Sequence, residues 1–184
     1  LSNGLDSLTL ALKALDLKPY DEVIVPTHTY IATWIAPLLL GCKLIPVPVR
    51  EDNFLLDTTL LSDYCTSRTK CIMPVHLYGN ACDMEELTDF ASAKKIFVVE
   101  DAAQAHGVAI NNRKIGTYGD ITCFSFYPTK NLGAFGEAGG ISTDNDELAQ
   151  KLISMRNYGR SPFDGSKNSY LSGNHRGDEI QAAM

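Results

Sequence analysis

The sequence lacks any run of lysine or arginine. Its 16 basic residues are scattered against 22 acidic ones, for a formal net charge of -6, which argues against a nucleic-acid surface. It also lacks an apolar stretch long enough to span a bilayer. The longest, Ile31 to Gly41, contains Pro37 and reads as a buried helix. No C-x-x-C pair occurs among the five cysteines. Their odd number, with Cys71 and Cys123 inside apolar runs, reads as reduced thiols in a cytoplasmic protein. No His/Cys/Asp cluster has metal-ligand spacing. No G-x-G-x-x-G joins a strand to a helix, and the glycines of 133–140 follow a lysine rather than a strand, so a dinucleotide fingerprint is excluded. Repeats and low-complexity segments are missing too. The chain opens on Leu1 rather than Met, without a signal peptide, and residues 178–184 read as a helix cut off part-way. The expectation is a piece of a longer protein.

What is present is an ordinary globular composition, 45% hydrophobic and 21% charged over 184 residues, enough for one domain with a real core. Strand-like and helix-like segments alternate. Leu5, Leu8, Leu12 and Leu15 recur at helical spacing, with the helix ending near Pro19. Strands are expected at Val23–Pro26, Lys43–Val49, Cys71–Leu77, Ile96–Glu100, Ile121–Phe126 and Gly140–Thr143. Between them fall helices at about Tyr30–Leu40, Asp57–Tyr64 and Asp83–Ala93, the last opened by a capping box, Asp83-Met-Glu-Glu86. A further helix starts at Asp144 and Glu147, with Leu148, Leu152 and Met155 along one side. This order implies an α/β fold with a mainly parallel sheet and helices on both faces, a three-layer αβα sandwich.

Ligands bind such sheets beyond the carboxyl ends of the strands. Asp101 follows one strand, Ser125 ends another, and Lys130 lies five residues further on. The turn from Ser2 to Asp6, opening the first helix, offers backbone N–H groups to an anion. Each of these has a plain reading when taken alone: a turn aspartate, a satisfied core hydroxyl, a solvated lysine. Their conjunction carries more weight.

The stretch Glu100-Asp-Ala-Ala-Gln-Ala-His-Gly107, then Gly119-Asp120, then Phe124-Ser-Phe-Tyr-Pro-Thr-Lys-Asn-Leu-Gly133, closely resembles the DegT/DnrJ/EryC1/StrS aminotransferases. The likeness extends to Asn3-Gly4-Leu5-Asp6, Asp21 to Tyr30, Pro74 to Gly79, Arg156 to Gly159, Asn174 to Arg176 and Gln181 to Ala183. It covers nearly the whole chain. The resemblance implies the large domain of the aspartate-aminotransferase type, with a largely parallel seven-stranded sheet, and pyridoxal 5'-phosphate (PLP) as cofactor. The family's N-terminal segment and smaller C-terminal domain would be missing, so the isolated chain is expected to fold and dimerise yet transaminate poorly.

Carried over by position, the resemblance makes Lys130 the Schiff-base lysine and proton carrier. Asp101 would face the pyridine nitrogen and keep it protonated, so that the ring can accept electrons. Gln104 would hold the side of the phenolic oxygen, and Tyr30 would stack on the ring. Ser125 and the helix opening at Leu5 and Asp6 would bind phosphate. Asn174 would reach the phosphate of a neighbouring subunit in a homodimer with shared active sites. Leu5 stands where the family often has Thr, so a hydroxyl contact is replaced by backbone N–H groups. The reaction implied moves an amino group from glutamate to a nucleotide-linked ketosugar. Two alternatives stay open: a PLP-dependent sugar dehydratase, whose members carry His in place of the lysine, and a non-catalytic binding or regulatory protein on the same fold. His28, His76, Tyr78, His106, His175 and Arg176 are further residues that either meet ligand or only pack.

Overall fold

Asn3 opens α1 (Gly4–Ala14) in the computed structural model, which describes residues 1–161 and 164–183. Its side-chain oxygen accepts from the N–H of Asp6 at 2.8 Å, the role in which Asn excels at a helix start. The helix stops at Leu15, and the left-handed Asp16 (φ 58°) turns the chain. The first strand, β1 (Glu22–Pro26), is buried at all five positions. α2 (Ala32–Leu39) and β2 (Lys43–Val47) follow.

The segment expected to be helical from Asp57 splits into a 3-10 turn, Thr58–Leu60, and a single α turn, α3 (Leu61–Tyr64). β3 (Thr69–Ile72) is shorter than the apolar run suggested. Pro74 has no N–H for a ladder, so residues 74–76 continue only as an irregular extension beside Asp101. There the Asp101 N–H donates to the Pro74 carbonyl at 2.9 Å, and the His76 N–H donates to the Asp101 carbonyl at 3.0 Å.

α4 (Met84–Lys94) starts on Asp83, whose carboxylate accepts from the Glu86 N–H at 3.2 Å. Only that half of the expected capping box forms, because the Glu86 carboxylate is taken by the Thr58 hydroxyl. β4 (Phe97–Asp101) includes the aspartate that was expected just beyond it. A hairpin of two-residue strands, β5 (Ala109–Ile110) and β6 (Arg113–Lys114), stands apart as its own small sheet. β7 (Ile121–Ser125) and β8 (Gly139–Ser142) complete the main sheet. α5 (Asp146–Arg156) is capped by Asn145 rather than Asp144, its side chain accepting from the Leu148 N–H at 3.0 Å. α6 (Glu179–Ala183) is the described part of the helix expected over 178–184; Met184 lies outside the described residues.

The main sheet runs β2-β1-β3-β4-β7-β8, parallel except for β8 against β7. It has six strands among the described residues, one fewer than the seven expected. The αβα layering is as expected. Val23, Val25, Cys71, Met73 and Val99 point to one side, where they pack with α1 and α5. Ile24, Ile72 and Val98 point to the other, beneath Leu61 of α3 and Leu87 of α4. Both faces of the central strands are covered, which is why their sequences are continuously apolar instead of alternating.

Candidate active site

β4 and β7 pair in register, Asp101 opposite Cys123, so the ends of the two strands stand side by side. The amino end of α1 lies over them. A Cβ placed on Gly4 would lie 2.8 Å from the Ser125 Cβ, so the helix start can approach Ser125 this closely only because residue 4 has no side chain. The three elements bound a cavity of about 790 Å³, within the range of small-molecule sites. Its lining includes Gly4, Leu5, Tyr30, Asp101, Gln104, Ser125 and Lys130. Chain segments up to 134 residues apart, from Asn3 to Glu137, thus converge on one space.

Asp101 forms the floor. Its backbone is held by the Pro74–His76 extension, and its side chain is buried. Oδ1 accepts from the Ala103 N–H at 3.1 Å, and Oδ2 accepts from the Thr33 hydroxyl at 2.7 Å. Burial raises its pKa above the ordinary carboxylate value, against the Thr33 and Ala103 donors and the nearby charges of His76 and Lys130. A buried carboxylate in this condition favours a cationic partner across the cavity.

Lys130 enters from a tight turn in which its N–H donates to the Tyr127 carbonyl at 2.8 Å. Its Nζ lies 5.9 Å from the centre of the Tyr30 ring, within cation–π range. Tyr30 is 68% exposed, an aromatic face left open at the cavity wall. Ser125 is buried, and its Oγ accepts from the Tyr127 N–H at 3.4 Å. Gln104 has its Oε1 occupied by the Tyr78 N–H at 2.8 Å. That bond orients the amide and leaves its NH2 as the donor end.

Asp6 is placed otherwise than expected. The Asp6 N–H is already used by the Asn3 side chain, and its carboxylate meets the Ser2 hydroxyl and His175 Nδ1, the latter at 3.1 Å. The helix opening therefore offers Gly4 and Leu5, not Asp6, to an anion. Asn174, expected to serve a neighbouring subunit, does not line this chain's own cavity. It bridges to Asn157, and its side chain accepts from the Arg176 N–H at 3.3 Å.

The other candidates divide. His28 and Tyr78 meet at 3.1 Å on the surface. His76 is fully buried, its Nδ1 accepting from the Cys82 N–H and its Nε2 on Glu100 at 3.0 Å. His106 packs between the rings of Phe124 and Phe126. The Trp34 indole donates to the Pro26 carbonyl at 3.0 Å at the edge of the core. Thr29, Thr33, Thr129 and Glu137 were not singled out from the sequence, although Thr29, Thr129 and Glu137 line the cavity and Thr33 binds Asp101. Nothing in a Thr-x-x-x-Thr spacing distinguishes it from a surface helix start.

A family model described as the DegT/DnrJ/EryC1/StrS aminotransferase family matches residues 1–184. The chain belongs to this family. Among its relatives is the dTDP-3-amino-3,4,6-trideoxy-alpha-D-glucose transaminase of Streptomyces venezuelae, 45% identical over 188 residues, covering 100% of this chain and 48% of the relative. The crystal structure of S. venezuelae DesV in complex with a ketimine intermediate superposes with a TM-score of 0.93 at 45% identity, over 99% of this chain and 48% of that one. The structure of NtdA from Bacillus subtilis with bound cofactor PMP gives a TM-score of 0.93 at 39% identity, over 99% of this chain and 41% of that one. The chain thus spans about half the length of the curated relatives it matches. The aminotransferase sheet of fold type I accounts for the strand order and for a cavity at the strand ends.

Proposed function

We propose that these 184 residues act as the PLP-binding large domain of an aminotransferase that moves an amino group, from glutamate, onto a nucleotide-linked ketosugar. The observation that carries the reading is that Asp101 and Lys130 line one cavity, with an aromatic face and a helix opening between them. The residues fit the cofactor at each of its chemically distinct parts. The Gly4–Ser125 approach leaves a cradle of helix N–H groups and a hydroxyl that suits a phosphate dianion. The buried Asp101 carboxylate suits a pyridinium nitrogen, the NH2 of Gln104 suits a phenolic oxygen, and Tyr30 suits a ring face.

When bound, pyridoxal phosphate supplies an aldehyde that captures amines and a ring that accepts electrons from the adjacent carbon. The protein does the rest. Asp101 would hold the ring nitrogen charged. Lys130 would hold the cofactor through its amine, and that same amine lines the cavity where it could carry a proton. The presence of Lys130, where sugar dehydratases of this family carry His, favours amino transfer over dehydration. A homodimer is part of this reading. Leu132 and Phe135, 61% and 80% exposed in the segment between Lys130 and Glu137, suit a subunit contact, and Asn174 would act across it. Five unpaired thiols, four of them buried, suit a reducing cytoplasm.

The decisive test is borohydride reduction of the PLP-treated protein followed by peptide mass spectrometry. A stable pyridoxyl adduct on Lys130 is expected, and Lys130→Ala should lose both the adduct and the visible absorbance. An adduct that persists in Lys130→Ala sinks the assignment.

A further inference from the structure

Thr33 is fully buried in the first turn of α2, and its hydroxyl ends 2.7 Å from Asp101 Oδ2. Behind it, the Thr29 hydroxyl lies 2.9 Å from the Thr33 oxygen, and Thr29 itself lines the cavity. A hydroxyl has one proton to give. If Asp101 is ionised, Thr33 must donate to it, so Thr29 must donate to Thr33. If Asp101 Oδ2 is protonated, it becomes the donor and both hydroxyls turn over. The chain Thr29–Thr33–Asp101 therefore has two internally consistent polarities, each matched to one charge state of the carboxylate, and its outer end opens on the ligand space.

We infer that Thr33, supported by Thr29, is a positioning residue that holds Asp101 in its ionised state and in the orientation needed to face a cationic ring nitrogen. This deepens the cofactor reading above and rests on it for its link to function. The physical need is specific. Asp101 is buried at the end of β4, and its other fixed donor is one backbone N–H, that of Ala103. His76 and Lys130 are the nearby basic groups, and Cys123 is the thiol on the adjoining strand. None of these is hydrogen-bonded to Asp101 Oδ2; Thr33 is. An ionised carboxylate gains more from such a donor than a neutral acid does. A methyl in its place leaves the buried carboxylate with one hydrogen-bond partner fewer.

The test uses Thr33→Val, which keeps the shape and removes the hydroxyl, with Thr33→Ser as the rescue and thermal melting as the check on folding. Carboxyl titration by 13C NMR in cofactor-free protein should show the Asp101 midpoint rising by about one pH unit in Thr33→Val, a tenfold change in acid dissociation. In Thr33→Ser it should return to near the wild-type value, with Thr29→Val in between. PLP affinity, read by absorbance, should fall several-fold in Thr33→Val and recover in Thr33→Ser. An unchanged Asp101 midpoint in folded Thr33→Val overturns the inference. If wild-type protein takes up no PLP, the functional reading fails while the NMR titration still decides the role of Thr33.

Discussion

At the end of β4 two adjacent carboxylates are buried together and treated oppositely by their neighbours. Glu100 collects donors: His76 Nε2, the N–H groups of Gly116, Tyr118 and Gly119, and the Thr122 hydroxyl, at 2.7 to 3.3 Å. Burial alone would raise its pKa, but His76, Gly119 and Thr122 carry it below the ordinary carboxylate range. Asp101 has two such donors, and burial wins. The first is a satisfied structural charge that ties the 116–119 loop to the sheet. The second is an under-supplied carboxylate, the one that the proposed function assigns to a ligand. Asp101→Asn should therefore stabilise the cofactor-free protein near neutral pH by about 1 kcal/mol, the usual scale for relieving such a cost, while weakening PLP binding. Urea unfolding with and without PLP reads both effects. A destabilised cofactor-free Asp101→Asn would show that the ionised form costs the fold nothing. Sequence carried the catalytic expectation for Asp101 through its motif. It carried no hint that Glu100 is the better-paired neighbour, because that depends on loops folding back over it.

At the scale of elements, helix starts do two different jobs here. Asn145 caps α5 at 3.0 Å from the Leu148 N–H, far from the cavity. Asn145→Ala should cost about 1 kcal/mol in unfolding free energy and leave PLP affinity unchanged. Asn3 caps α1 only in part, serving Asp6 and leaving the first turn to face Ser125. Gly4→Ala should act at the site rather than on stability. A Cβ at 2.8 Å from the Ser125 Cβ must push the helix start away and open the anion cradle, so PLP affinity measured by absorbance should fall tenfold or more. An unaffected affinity would mean that the cradle is not the phosphate site. The amphipathic spacing of α1 was legible in the sequence; its close approach to β7 was not, since 121 residues separate Gly4 from Ser125. The start of α5, expected at Asp144, falls at Asp146 behind the Asn145 cap, since Asp144 and Asn145 are both good cap residues until the backbone chooses.

Across the whole molecule the buried carboxylates set the response to acid. Glu22, at the start of β1, is held by the Thr66 hydroxyl and by Lys43 and Arg68 at 3.4 and 3.0 Å. Thr66 first, then Lys43 and Arg68, lower its pKa against the effect of burial. Glu22 and Glu100 both have folded-state values below those of the unfolded chain. Their stabilisation is complete above the unfolded value of about 4.3 and is lost as pH falls through that value towards the folded one. Urea midpoints should drop as pH falls below about 5, and Glu22→Gln should flatten part of that drop. A Glu22→Gln protein with the wild-type acid slope would place the linkage elsewhere. Asp101 has the opposite sign, so in cofactor-free protein it offsets a little of the same slope.

The alternation of strand and helix, the continuous apolar strands and the spacing of Asp101, Ser125 and Lys130 were determined by the chain alone, because they are local patterns of side-chain type. Tertiary structure decided that Asp6 turns to Ser2 and His175 instead of the cavity, that Pro74 ends β3 early, and that Thr33 reaches Asp101. Those outcomes rest on which distant backbones approach within a few ångströms and on which donor claims a carboxylate first. Packing settles that competition, and no linear spacing encodes it.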